Sequence, residues 1–210
     1  MSEQVAPRCG PVAHFLGRLW VKVFGWKVEG SAPPIAKCVF IAAPHTSNWD
    51  MPHMLGVAWA LGLKVAWMGK KQIFRWPFEG FFKWLGGIPV DRSAKHNMVQ
   101  KVAEVFANSP GLYLVVPPEG TRARTDYWKS GFYHIAREAD VDIMCSYLDY
   151  TRGVTGIGLV MRPTGDVVAD MDQLRAFYAP YEGRFPELQG PIRLREEDAP
   201  DAVQAAAQNA

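Results

Sequence analysis

The apolar pattern of the chain alternates between a helical and a strand period. From Val12, the segment VAHFLGRLWVKVFGWKVEG sets Phe15, Leu16, Leu19, Trp20, Val23 and Phe24 near Arg18, Lys22 and Lys27. That spacing predicts an N-terminal amphipathic helix over about residues 11–25, whose apolar face suits a lipid surface and the protein core equally. A short strand near Lys27–Glu29 and an unbroken apolar strand over Lys37–Ala42 follow, then a helix over about Asp50–Leu61 and a strand over Val65–Met68. NMVQKVAEVFANSPG, from Asn97, has helical spacing and stops at Asn108–Gly111, and LYLVVPPEG reads as a buried strand broken by Pro117 and Pro118. Gly131–Ala139 reads as a helix; Asp142–Tyr150 and Gly156–Met161 read as strands, with a turn at RPTGD. The alternation predicts an α/β fold, with a mostly parallel or mixed central sheet flanked by helices. Residues 1–195 are expected to form one domain. The end, REEDAPDAVQAAAQNA, loses large apolar residues, so 196–210 are expected to form a disordered tail.

Composition narrows the classes. With 210 residues, 49% of them hydrophobic, the chain is long and apolar enough for one domain with a substantial core. A formal net charge of +2 makes no case for nucleic acid. Cys9, Cys38 and Cys145 are widely spaced, without a CxxC pair, which favours a reducing compartment over a disulfide framework. The opening residues Ser2, Glu3 and Gln4 lack the layout of a secretory signal, so no export is expected. The longest uncharged stretches, Cys38–Trp49 and Met51–Leu63, are split by Asp50 and fall short of the roughly 18 residues of a spanning helix.

Candidate chemistry gathers where strands end. In an open α/β sheet functional groups collect at the carboxyl ends of strands, and three such exits carry polar clusters: PHTSNWD, GGIPVDR and PPEGTR. Each has an ordinary explanation when taken singly. A lone histidine such as His45 is usually a satisfied core or loop residue, and Asp50 suits a helix start, with Pro52 tolerated in the first turn. Asp91 and Arg92 suit an exposed turn beside Gly86 and Gly87, while Glu119 and Arg122 suit a surface ion pair of little worth.

Taken together the clusters carry more. HTSNWD resembles the motif of histidine, four residues and aspartate (HX4D) of the glycerolipid acyltransferase family, the lysophosphatidic acid or 1-acylglycerol-3-phosphate type. GGIPVDR is similar to that family's second block, PPEGTR to its third, and WKSGFYHIA to the lysine and glycine that follow; order and spacing agree over roughly Lys37–Tyr147. The resemblance implies O-acyl transfer from an acyl-CoA or acyl carrier protein thioester to a hydroxyl of a lysophospholipid or related glycerolipid. It implies no resident cofactor and no metal. A hydroxyl is a poor nucleophile at neutral pH, so a base must take its proton during attack, and imidazole titrates in the right range. The resemblance assigns His45 that role and Asp50 the carboxylate at the other ring nitrogen. Residues five apart do not share a helix face, so His45 is expected in the loop and Asp50 in the first helical turn, the chain folding back between them.

The remaining candidates bind substrate. Arg92 and Arg122 suit a phosphate near the reacting hydroxyl, because planar guanidinium groups make paired, charge-assisted hydrogen bonds. Glu119 suits orienting an arginine or binding a glycerol hydroxyl, Gly120 and Thr121 suit bringing backbone and hydroxyl donors close, and Lys129 joins them. Two departures from the family stand out: Pro44 precedes His45 where asparagine is common, and the fourth block reads VDIMCSYLDY, with Asp142 and Cys145 where proline is expected. They leave the acceptor open, another lipid or a glycolipid included.

The segment WMGKKQIFRWPFEGFFKWLGG alternates aromatics with Lys70, Lys71, Arg75 and Lys83, as suits a membrane interface; the alternative is a pair of helices covering the core. The same aromatics are candidates for lining an acyl channel. With the N-terminal helix, this points to a cytoplasmic protein lying peripherally on the inner face of the membrane. Three other readings compete. A metal-dependent hydrolase would use His45, Asp50 and His53, although that spacing is no standard helix-face ligand set. A cysteine acyl-enzyme would use Cys145. A noncatalytic lipid-binding module would keep the fold alone.

Overall fold

The apolar run Lys37–Ala43 is the middle strand, β2, of a seven-stranded sheet. The structure is a computed structural model and describes residues 6–90 and 98–198. Arg92 and most of the expected tail, from residue 199, lie outside the described residues. The first three tail residues, 196–198, belong to a 3-10 turn over Arg195–Asp198.

The elements follow in the order α1 (Pro11–Phe24), β1 (Lys27–Glu29), β2, α2 (Asp50–Ala60), β3 (Val65–Lys70), α3 (Glu79–Trp84), β4 (Gly87–Val90), α4 (Met98–Asn108), β5 (Leu112–Val116), α5 (Gly131–Glu138), β6 (Asp142–Asp149), β7 (Val154–Met161) and α6 (Val167–Tyr178). Spatially the strands run β1-β7-β6-β2-β5-β3-β4. Neighbours from β6 to β4 are parallel, β7 is antiparallel to β6, and β1 runs parallel to β7. The sheet is therefore mixed, with a parallel block of five strands whose carboxyl ends share one edge.

The pleat of β2 divides the core. Val39, Ile41 and Ala43 pack with Val102, Phe106, Phe132 and Leu174 from the helices α4, α5 and α6. Cys38 and Phe40 face the other way, with Tyr113, Val115, Met144 and, from α2, Leu55 and Ala58. Alternate residues of one strand point to opposite faces, so a strand covered on both sides must be apolar throughout.

Helix α1 crosses α2 at small residues. A Cβ on Gly17 would lie 2.4 Å from the backbone nitrogen of Ala60, and one on Gly56 would lie 2.3 Å from the Trp20 ring. Ala13 and Gly17 thus form the inward face. Trp20 lies against α2 at this crossing, whereas Val12, Phe15, Leu19 and Val23 point outward, with Phe15 66% and Val23 68% exposed. The expected amphipathic helix is present, and of its two expected packings the structure leaves most of the bulky face, Phe15, Leu19 and Val23 included, turned to solvent rather than to the core. The aromatic segment after β3 behaves similarly: Trp76 is 91% exposed, and Phe78, Phe81 and Trp84 are exposed beside it. Trp59 joins the two surfaces, since its Cβ is among the atoms nearest the Gly17 position and its ring stands 5.1 Å from that of Trp84.

Candidate active site

β2, β5 and β6 end at the same edge and deliver three loops to one place. After β2 the chain turns at Pro44 and places His45 in the loop and Asp50 at the start of α2. His45 Nδ1 and Asp50 Oδ2 are 3.0 Å apart. The same carboxylate oxygen accepts the backbone N–H groups of Thr46 at 2.9 Å and Ser47 at 2.8 Å. Asp50 therefore gathers the preceding loop around itself instead of capping the helix that follows; the N-cap position is Trp49, with no side-chain cap. This back-turned carboxylate is what folds five residues tightly enough to bring the pair together.

Asp50 is 5% exposed. Burial pushes its carboxyl upward, but hydrogen bonds from His45, from the Tyr150 hydroxyl and from the Ser47 N–H outweigh burial and hold it below the usual carboxylate value. An ionised carboxylate only accepts, so the bond to His45 needs the proton on Nδ1 and leaves the Nε2 lone pair available. His45 keeps 20% of its side chain accessible. The arrangement can take a proton from a hydroxyl and stabilise the imidazolium that results.

Glu119, in the loop after β5, accepts the His45 N–H through Oε1 at 2.9 Å, while its Oε2 is buried without a partner among the described residues. Burial, with Asp50's charge adding to it, pushes this carboxyl up to about 7 against the lowering pull of the His45 N–H. The carboxyl borders a small cavity of about 40 Å³ beside Pro44, Trp128 and Tyr178.

A larger cavity, of about 350 Å³, opens at His45 and Asp50 and runs between α2 and the sheet. Met51, Met54, Val57 and Ala58 form its roof; Phe40, Val115, Leu148 and Ile157 are among the residues of its floor. Gly120 and Lys129 also line it. Gly120 has a positive φ of 66°, and a Cβ there would meet the Lys129 side chain at 2.9 Å, so the glycine lets the lysine stem lie against this turn. Thr121 and Arg122 are exposed on the same loop and do not line the cavity. Thus His45, Asp50, Gly120 and Lys129 meet at one cavity, Glu119 supports it from behind, and Thr121 and Arg122 stand outside.

Residues 26–148 match the sequence model of the acyltransferase family, more than half of the chain. The chain belongs to the acyltransferase family. Its structure is similar to the crystal structure of the 1-acyl-sn-glycerophosphate (LPA) acyltransferase PlsC from Thermotoga maritima, with a TM-score of 0.55 and 19% identity over 80% of this chain and 74% of that one. At that identity the likeness establishes the fold. No curated protein matches the chain.

Three features of this acyltransferase were not among the residues expected at an acyl-transfer site. Tyr150, just past β6, donates its hydroxyl to Asp50 Oδ1 at 2.7 Å. Burial and the Asp50 charge hold its phenol protonated well above the usual range. The segment after α6 reaches back over the loop: Phe185 N–H donates to Thr46 Oγ1 at 3.2 Å, and Tyr150 N–H donates to the Glu182 carbonyl at 3.0 Å. Third, His53 sits among the rings of Trp20, Phe24, Trp26, Trp49 and Tyr150, at 5.0 to 6.0 Å.

The rival chemistries fare badly in this acyltransferase. His53 Nδ1 accepts both indole N–H groups, Trp20 and Trp26, each at 3.1 Å. Burial, aided by Arg184 and opposed by Asp50, keeps its imidazole below the ordinary value, hence neutral. One nitrogen of His53 is thereby occupied, and among the described residues no three His, Cys, Asp or Glu are grouped as metal ligands. Cys145 packs in the core on the α4–α6 face, away from the cavity, and burial raises its thiol to about 12, leaving almost no thiolate at neutral pH.

Proposed function

We propose that this acyltransferase moves a fatty acyl group from a thioester, acyl-CoA or acyl carrier protein, to a hydroxyl of a lysophospholipid or related glycerolipid. The observation that carries this reading is the His45–Asp50 pair in the lining of a mostly apolar cavity of about 350 Å³. Each buried methylene of an acyl chain contributes about 0.8 kcal/mol, so such a cavity favours a hydrocarbon tail over a small polar acyl group. His45 Nε2 takes the acceptor proton as the hydroxyl oxygen attacks the thioester carbonyl. The tetrahedral adduct then expels the thiolate, which recovers the proton from the imidazolium. Lys129 at the cavity and Arg122 nearby supply charge for a phosphate, with Arg92, outside the described residues, a further candidate.

Approach to a bilayer fits the outward faces of α1 and the α3 segment. Exposed aromatics there alternate with Lys71, Arg75 and Lys83, a mixture suited to the headgroup boundary of an anionic membrane. Among the described residues no helix is long and apolar enough to cross a membrane. The reading is therefore a protein lying on the inner leaflet, with its acceptor delivered from the lipid.

The test is to incubate the protein with acyl-CoA and acyl carrier protein thioesters and a mixed lysolipid extract, reading products by mass spectrometry beside folded His45→Ala. An acylated lipid made only by the native protein is expected. Lipid bound by both proteins, with no product from either donor, would replace this reading with a binding role.

A further inference from the structure

We propose that Tyr150 is a positioning residue of the acyl-transfer site, its hydroxyl holding Asp50 in register with His45. The proposal rests on the reading of His45 as general base. The two oxygens of Asp50 serve different partners: Oδ2 meets His45 and the N–H groups of Thr46 and Ser47, whereas Oδ1 meets the Tyr150 hydroxyl. The loop thus grips one end of the carboxylate and Tyr150 the other, which fixes its plane.

Tyr150 is itself held. Its N–H donates to the Glu182 carbonyl, its ring stands edge-on to Trp26 at 5.1 Å, and the neighbouring Thr151 hydroxyl donates to Glu182 Oε2 at 2.8 Å. The same segment packs on the His45 loop, where a Cβ on Gly183 would come within 2.7 Å of Thr46 Oγ1. The acyltransferase match ends at residue 148, so both Tyr150 and this support lie beyond it. Tyr150 does not line the apolar cavity and acts through Asp50 alone.

The electrostatic consequence has a definite sign. A hydroxyl donating to Oδ1 draws carboxylate charge away from Oδ2; without it, Asp50 holds the His45 imidazolium more strongly and is freer to turn. The other charged or titratable groups facing the pair are Glu119 after β5, Lys129 before α5, His53 in α2 and Arg184 after α6. They are unchanged when the hydroxyl is removed, so a difference reports Tyr150.

In Tyr150→Phe, kcat should fall about tenfold to a hundredfold, the KM values stay within about twofold, and the acid limb of the rate profile move up by several tenths of a pH unit. The His45 Nδ1–H proton resonance, identified by its loss in His45→Ala, should move downfield as its bond to Asp50 tightens, a readout needing no substrate. Tyr133→Phe breaks a matching 2.7 Å bond, to Asp170, elsewhere in the fold and should leave both readouts unmoved. If Tyr150→Phe does not fold, 3-fluorotyrosine at position 150, a stronger donor, should move both readouts the opposite way. Unshifted readouts, or shifts equalled by Tyr133→Phe, would overturn the proposal. A His45→Ala protein as active as the native one would overturn the general-base reading and this proposal together; an inactive His45→Ala beside an unshifted Tyr150→Phe overturns this proposal alone.

Discussion

Replacing Glu119 by glutamine tests whether a buried carboxyl behind His45 carries its proton near neutrality. Glutamine has the same shape, and its amide oxygen can keep accepting the His45 N–H. The carboxyl stands at about 7 in the fold against 4.5 for an ordinary glutamate, with burial as the main cause. A folded-state value raised in this way gives a contribution to stability that is fully present below about 4.5 and is lost as pH rises through about 7. Two and a half pH units correspond to about 3 kcal/mol. In a chain of this size each kcal/mol moves Tm by about 2–4 °C, so the Tm of the native protein minus that of Glu119→Gln should fall by roughly 6–12 °C between about pH 4.5 and 8. Thermal melts of both proteins, followed by circular dichroism across that range, give the difference directly, and titrating groups not coupled to Glu119 cancel. A difference that is flat, or that rises with pH, would refute the buried neutral carboxyl.

Three further outcomes follow from the same geometry. Asp50→Asn should lower kcat by about 10³-fold or more, because the carboxylate that orients His45 and stabilises its cation is gone; a variant retaining a tenth of native turnover would contradict the pair. Phe15→Glu combined with Val23→Glu should abolish co-sedimentation with anionic vesicles while changing stability by only about 0.5 kcal/mol per site, as both side chains already face solvent. Retained vesicle binding would remove α1 from the membrane-facing surface. Gly17→Val should cost about 1–3 kcal/mol in urea unfolding, since its side chain would press into the α2 backbone; an unchanged midpoint would mean that the helices separate without cost.

What was legible in the sequence follows the range of the forces involved. β2 and α2 were readable because an unbroken apolar run and a helical period are local signals, and so was the loop between them. The expected cap role of Asp50 was not met, because its carboxylate found stronger partners behind it than ahead. α6 escaped notice although Val167, Met171, Leu174 and Tyr178 keep a helical spacing and Asp166 caps it through the Ala169 N–H. The buried Asp170 disguised that pattern; it is satisfied by Tyr133 and Thr164, a tertiary solution no local window contains. β4 was hidden by Pro89, which an edge strand tolerates. For α1 the sequence predicted amphipathicity but not which face turns inward; the close crossing at Gly17 and Gly56 decided that. Tyr150 lies 100 residues from Asp50, so its contact exists only once β2 and β6 pair.

The most direct test of the central claim is thiol release from acyl-CoA, or from acyl carrier protein, followed with and without lysophospholipid in the native protein and in folded His45→Ala. The account predicts release that depends on the acceptor and is lost by about 10³-fold or more without the imidazole. Equal release in the two proteins, or release indifferent to the acceptor, would contradict it.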